Sequence, residues 1–213
     1  MHDTFFDEAA STWDDDPAKI ARSHVIAKAI IAAVPLDGVR DALEYGCGTG
    51  QVTWALAQRS DAKPRVILAD ASAGMLAVVA QRIAARPEDD RDRFESRALD
   101  LTTDELPAAS LALIYTVMAL HHVPDVPLVL RRFREALRPG GHLAVADLDH
   151  DAEGAFHGHD FHGHHGFDRT PLASAITAAG FAEPTFETVA HLKKDVDGVQ
   201  AEFPVFLAVA TVN

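Results

Sequence analysis

The chain has 213 residues, which suits one α/β domain with a substantial core better than two domains. Apolar residues make up 48% and charged residues 24%, which excludes disorder along the whole chain. Nineteen basic against 32 acidic side chains leave a net charge of −13, so the average surface repels nucleic acid and anionic membranes.

The basic run Arg131, Arg132, Arg134 and Arg138 is split by apolar residues at helical spacing and reads as a solvated helix face. Cys47 is the single cysteine, which rules out a disulfide within the chain and fits a reducing compartment. Met1-His2-Asp3-Thr4 has no basic stretch leading into an apolar one, so no signal peptide is expected. No apolar run reaches bilayer length, and the expected setting is the cytoplasm.

In chain order, Phe5 to Asp16 mixes Phe5, Phe6 and Trp13 with acids. Asp16 and Pro17 then read as the cap and first turn of a helix carrying Ile20, Val25, Ile26, Ile30, Ile31 and Val34. Pro35 and Gly38 end it, giving a helical cap over residues 1–38. Ala42 to Tyr45 reads as a strand, Gly46 to Gly50 as a tight loop and Val52 to Gln58 as a helix. A second strand (Arg65 to Ala69), a second helix (Met75 to Ile83) and an acidic link (Arg86 to Arg93) follow. Phe94 to Ala98 and Leu111 to Val117 read as strands three and four. Val126, Val129, Leu130, Phe133 and Leu137 form a helix stripe, ended by Pro139-Gly140-Gly141 before a fifth strand, His142 to Ala146.

This alternation predicts βαβ units, hence a mostly parallel sheet with helices on both faces in a three-layer α/β domain spanning residues 1–213. The end departs from it. After a helix over Leu172 to Ala179, the strands Thr185 to Leu192 and Phe203 to Val212 are joined by Lys193 to Gln200, which carries the turn signal Asp197-Gly198. These two are expected to pair antiparallel, making a sheet of about seven strands whose last is antiparallel.

The segment Leu43-Glu44-Tyr45-Gly46-Cys47-Gly48-Thr49-Gly50-Gln51 carries the chemistry. Glycines at 46, 48 and 50 follow a strand and open a helix, where open α/β sheets bind nucleotides. A dinucleotide fingerprint requires glycine where Gln51 stands, and no Gly-Lys-Ser/Thr of a phosphate loop follows. Asp70 ends the second strand, 20 residues after Gly50, placed to accept hydrogen bonds from ribose hydroxyls. The ligand expected from this spacing is an adenosine without a crowded phosphate group.

These residues resemble the class I S-adenosylmethionine-dependent methyltransferases, particularly their bacterial small-molecule group. Glu44 to Gly50 is similar to the family's first motif and Asp70 to Leu76 to its second. Leu99-Asp100-Leu101, Ala119 to Val123 and Leu137 to Leu143 are similar to three further signatures. The resemblance spans Asp41 to about Asp147 and extends weakly through His165 to Asp168 and Ala178 to Phe181. It implies a Rossmann-like class I fold, with S-adenosylmethionine as cofactor and a small-molecule methyl acceptor. It places Asp70 on the ribose, Met75 near the adenine and Asp100 on the adenine amino group. The expected cofactor bed is Gly46, Gly48, Asp70, Ala71, Met75, Asp100, Leu101 and Thr116. One departure stands at Ala112, where the family often has an acid at the start of strand four.

A methyl on a sulfonium is already electrophilic, so positioning and water exclusion are the protein's main tasks. Cys47 is expected to pack within its loop rather than act as a nucleophile. If the acceptor is a hydroxyl or an acidic carbon, His121 and His122 are the first candidates for a catalytic base, and Asp147 and Asp149 the second. In the competing structural reading His121 caps a turn or packs on the cofactor, and His122 orders the loop. Phe5, Phe6 and Trp13 read either as a lid or as a staple of the first helix to the core.

Residues 150–168 form a His/Gly-rich insert holding His150, His157, His159, His162, His164 and His165 beside Asp151, Glu153, Asp160 and Asp168. Such a tract can bind zinc, nickel or iron, or face substrate as a lid. Four glycines and no evident scaffold favour a flexible surface loop, and no metal is expected. Two functional alternatives stand beside methyl transfer: a catalytically silent regulator binding S-adenosylmethionine or a metal, and a nicotinamide-dependent oxidoreductase, which Gln51 opposes.

Overall fold

The computed structural model describes residues 4–59, 62–158 and 160–213. Helix α1 (Thr4–Ala9) runs into a 3-10 segment (Ala10–Asp15) and then α2 (Pro17–Ala33). The start of α2 follows from its sequence: Asp16 Oδ1 accepts the Ala18 N–H at 2.9 Å, and Pro17 occupies the first turn.

The alternating part contains β1 (Asp41–Tyr45), α3 (Gln51–Arg59), β2 (Arg65–Asp70), α4 (Ala73–Ala84), α5 (Glu88–Arg91) and β3 (Phe94–Ala98). It continues with β4 (Leu111–Val117), a 3-10 turn (Leu120–His122), α6 (Val126–Ala136), β5 (Leu137–Leu148) and α7 (Arg169–Ala178). The chain closes with β6 (Thr185–Val196) and β7 (Val199–Thr211). The seven strands lie in the order β3-β2-β1-β4-β5-β7-β6. β1 to β5 pair parallel, and β7 is antiparallel to both β5 and β6.

Strand alternation sorts the core into two layers. Ala42, Leu113, Tyr115 and Ala144 meet Ile26 and Ile30 of α2, Val52 of α3 and Val79 of α4 on one face. Leu43, Tyr45, Ile114 and Val145 meet Leu130 and Phe133 of α6 and Ile176 of α7 on the other. The domain is thus a three-layer sandwich, as the alternating pattern predicts.

Three details differ from the sequence reading. Leu137 belongs to β5 rather than to the helix stripe: its backbone is extended and pairs with Leu111 across a register shift that absorbs Pro139-Gly140-Gly141. The acidic link folds its middle into α5, where Glu88, Asp89 and Asp90 sit in the first turn and complement the helix dipole. The final hairpin is tighter than a loop over 193–200. Its strands run to Val196 and Val199, and Asp197 and Gly198 both take positive φ (52° and 83°), as a two-residue turn with the strands' own twist requires.

Candidate active site

A cavity of about 1030 Å³ opens at the carboxyl ends of the central strands, at the upper end of the range for small-ligand pockets. One wall is the glycine loop between β1 and α3. Gly46 has φ +68°, and a Cβ there would collide with the Cβ of Ala119. Gly48 has φ +53° and nothing within 4 Å of the position a Cβ would take, so its backbone is bare toward the cavity.

Asp70 ties this loop to the end of β2. Its Oδ2 accepts the Gly48 N–H at 2.7 Å and its Oδ1 the Ser72 N–H at 2.9 Å. Burial pushes the carboxyl's pKa up, and these N–H bonds oppose the shift. Asp100 faces the same cavity. Its Oδ1 is taken by the N–H and hydroxyl of Thr102 at 2.8 and 2.7 Å, and among the described residues its Oδ2 has no donor. Ala71 and Met75 complete this wall.

Two expected bed residues do not line the cavity. Thr116 is fully buried, because strand alternation turns it to the same face as Ile114, beneath the sheet edge. Val117 and Met118 take its place at the cavity. Met118 has φ +53°, an uncommon conformation for a non-glycine residue that turns the chain aside at the end of β4. Leu101 is also fully buried, in the cluster around α6, while its neighbours Asp100 and Thr102 line the cavity.

The N-terminal segment closes over the loop, and carboxylates that the sequence reading passed over hold it there. Asp7 Oδ1 accepts from the Ser72 hydroxyl at 2.5 Å and the Gly74 N–H at 2.9 Å. Gly74 permits this approach, since a Cβ there would lie 2.7 Å from the Asp7 carbonyl oxygen. Asp14 accepts from the Thr49 hydroxyl at 2.9 Å and pairs with Arg82. Phe6 and Trp13 therefore line the cavity, in keeping with the lid reading, whereas Phe5 is exposed.

Glu44, another residue missed as a site residue, lies almost fully buried beneath the loop. Its Oε2 accepts the Thr53 N–H at 3.3 Å and the Thr53 hydroxyl, which lies 2.6 Å from Tyr115 Oη. Burial pushes its pKa to about 8, against the pull of the Thr53 bonds. The folded protein thus holds a proton that the unfolded chain, with the ordinary value of 4.5, has released by neutral pH. Its contribution to stability must fall as pH rises from about 4.5 to about 8. We expect urea unfolding of Glu44→Gln to lose this part of the pH dependence, and a parallel decline in both proteins would contradict it. A lone acid in an otherwise apolar strand was the signal available in the sequence.

The far wall carries the histidines. Asp147, fully buried at the end of β5, accepts from the His121 N–H at 3.2 Å, bonds His121 Nδ1 at 2.6 Å and accepts the Leu148 N–H at 2.8 Å. His121 is itself buried behind the cavity surface. His122 is the one of the pair that faces the cavity, with its ring 4.2 Å from that of His121. Burial, with His121 and His157 adding to it, lowers the His122 pKa to about 3, so its imidazole is neutral. Asp149, the other candidate acid, is engaged by Arg169 at 2.7 and 2.6 Å.

The His/Gly-rich insert is not a free surface loop. His157 stacks on Phe161 at 4.0 Å, the His164 N–H donates to the His121 carbonyl at 2.7 Å, and His164 Nε2 lies 3.0 Å from the Val123 carbonyl. Phe161, His162, Gly163 and His164 line the cavity. The rigid support missing from the local sequence is supplied by the turn after β4, more than 30 residues earlier in the chain. His159 lies outside the described residues. Among those described, no three His, Cys, Asp or Glu side chains are placed to hold a metal ion. Cys47 is buried and its thiol pKa is pushed up by burial, which keeps it protonated.

Comparison with known proteins finds similarity over the central part of the chain. Residues 43–143 match the family model for a methyltransferase domain. The chain is 38% identical over 146 residues to a trans-aconitate 2-methyltransferase of Deinococcus radiodurans, covering 65% of this chain and 52% of that protein. It is 33% identical over 120 residues to a 2-phytyl-1,4-naphtoquinone methyltransferase of Synechococcus elongatus, covering 55% and 48%. The chain thus spans about half the length of the curated relatives it matches. Among solved structures, a methyltransferase in complex with the Haloferax volcanii Trm112 activator superposes with a TM-score of 0.77 at 18% identity, covering 97% of both chains. The fold is that of the Rossmann-like methyltransferases, and residues 43–143 are similar in sequence to a methyltransferase domain.

Proposed function

We propose that this chain transfers the methyl group of S-adenosylmethionine to a small molecule, with His122 as the residue facing the acceptor. The observation that carries this reading is convergence. Gly46, Gly48, Asp70, Ala71, Met75 and Asp100 share one cavity with His122. The residues fit the cofactor, because the bare backbone at Gly48 and the free Oδ2 of Asp100 are what an adenosyl group requires.

Asp70 would hold the ribose, Asp100 the adenine amino group, and Met75 would pack against the base. When bound, the cofactor supplies a methyl group already activated on a sulfonium. The chain's own work is to orient the acceptor and keep water out. Phe6, Trp13 and Phe161 form much of the water-excluding wall. A neutral His122 can accept a hydrogen bond from the acceptor at a ring nitrogen and so orient it, while its pKa of about 3 makes it a weak base and leaves the acceptor's proton to pass to solvent. His121, fixed in backbone and ring by Asp147, positions His122 from behind.

The relatives named above act on different acceptors, and the excess of acid over base on this chain favours a small molecule over nucleic acid. The test is incubation with methyl-labelled S-adenosylmethionine and a small-molecule extract, beside calorimetric titration with S-adenosylhomocysteine. Label in the small-molecule fraction, with tight binding, is the expected result. Binding without any labelled product would leave a silent regulator, and binding of NADH alone would point to an oxidoreductase.

A further inference from the structure

We propose that Arg22 anchors a carboxylate group of the methyl acceptor. This deepens the methyl-transfer reading and rests on it. On α2, Ile26, Ala27 and Ile30 enter the core, while Lys19, Arg22 and Ser23 line the cavity. Arg82, Arg86, Arg93 and Arg169 each end on a carboxylate. Among the described residues Arg22 ends on none and has no hydrogen-bond partner. Its charge is half-buried: burial lowers its pKa, and the attraction of Asp16 and Asp147 opposes this. A guanidinium that has lost part of its hydration without gaining a partner is poorly compensated, and an arriving anion would supply the missing bonds.

The chemistry of that anion follows from the surroundings. Asp70, Asp100 and Asp160 line the same cavity in a chain of net charge −13. A carboxylate would be repelled there without a local cation, and the planar fork of arginine matches it with two parallel hydrogen bonds. Lys19 is the other cation at the cavity, but its Nζ sits 3.7 Å over the Trp13 ring. Arg22 is the cation left to receive a ligand.

Its place favours the acceptor over the cofactor's own amino-acid tail. Arg22 stands on α2, which packs against β7 and β6 as well as α3, in the cluster that holds Leu148 at the end of β5. In the sheet β4 separates β5 from β1, so this end lies about 10 Å from the glycine loop at ordinary strand spacing. Arg22 therefore faces the cavity from the helix that covers the β5 side of the sheet.

The test uses the full chain loaded with S-adenosylhomocysteine. Succinate, tricarballylate and benzoate, each beside its uncharged methyl ester, are titrated by calorimetry into the wild type, Arg22→Gln and Arg22→Lys. At least one acid should bind wild type where its ester does not. Arg22→Gln should weaken that acid about tenfold or more, and Arg22→Lys should restore part of the loss. Arg22→Gln should also keep its affinity for S-adenosylhomocysteine. The proposal is overturned if wild type does not distinguish any acid from its ester. It is equally overturned if Arg22→Gln weakens S-adenosylhomocysteine tenfold while sparing 5′-methylthioadenosine, which lacks the amino-acid tail. Failure of wild type to bind S-adenosylhomocysteine would instead overturn the methyl-transfer reading, and this proposal with it.

Discussion

Replacing Asp70 by alanine should weaken S-adenosylhomocysteine binding by about 100-fold or more, from losing about 3 kcal/mol of charge-assisted hydrogen bonds to the ribose. A second effect acts in the same direction. The carboxylate bonds the N–H groups of Gly48 and Ser72, so its removal leaves both loops that form the wall without their shared acceptor. Asp70→Asn separates the two contributions. It keeps one oxygen of similar geometry for a loop N–H but loses the charge that would grip two hydroxyls. Calorimetry of both variants, with circular dichroism to verify the fold, measures the effect. Unchanged affinity in a folded Asp70→Ala protein would remove the adenosyl site from this cavity.

The largest loss of stability is expected at Asp147. Three bonds converge on a fully buried carboxylate, and one partner is an equally buried imidazole. Removing one member of such a pair leaves the other without compensation, at a cost of about 3 to 5 kcal/mol. For a chain of this length Asp147→Ala should lower the melting temperature by roughly 10 °C or more. Asp147→Asn, which still offers an oxygen to one donor, should lose less. The consequence reaches the site, because the His121 carbonyl receives the His164 N–H of the insert and the His121 ring backs His122. A temperature shift below about 2 °C for the alanine variant would show that the pair contributes little net stability.

The sheet, its parallel core and its antiparallel end were legible in the sequence because each rests on local signals. Apolar runs of strand length, helices capped at Asp16 and a two-residue turn at Asp197-Gly198 need only nearest neighbours to be recognised. The glycine loop and Asp70 were legible for a similar reason: their spacing is fixed by one βαβ unit. The side chains of Thr116 and Leu101 lie away from the cavity, because proximity in sequence does not say which face of a strand or turn a side chain takes. The insert was misread because its support, the carbonyls of His121 and Val123, comes from a distant part of the chain.

By itself the sequence determined the fold class, the order of its units and the glycine-loop wall of the cavity, since these follow from periodicity, turn chemistry and the conformational demands of glycine. Tertiary structure alone decided the other wall. It placed Asp7 and Asp14 on the loops, put Asp147 beneath His121, turned His122 rather than His121 to the cavity and left Arg22 facing it without a partner. Those pairings join residues from 26 to 67 positions apart. Burial and charge there depend on how the layers close around one space, which no local pattern encodes.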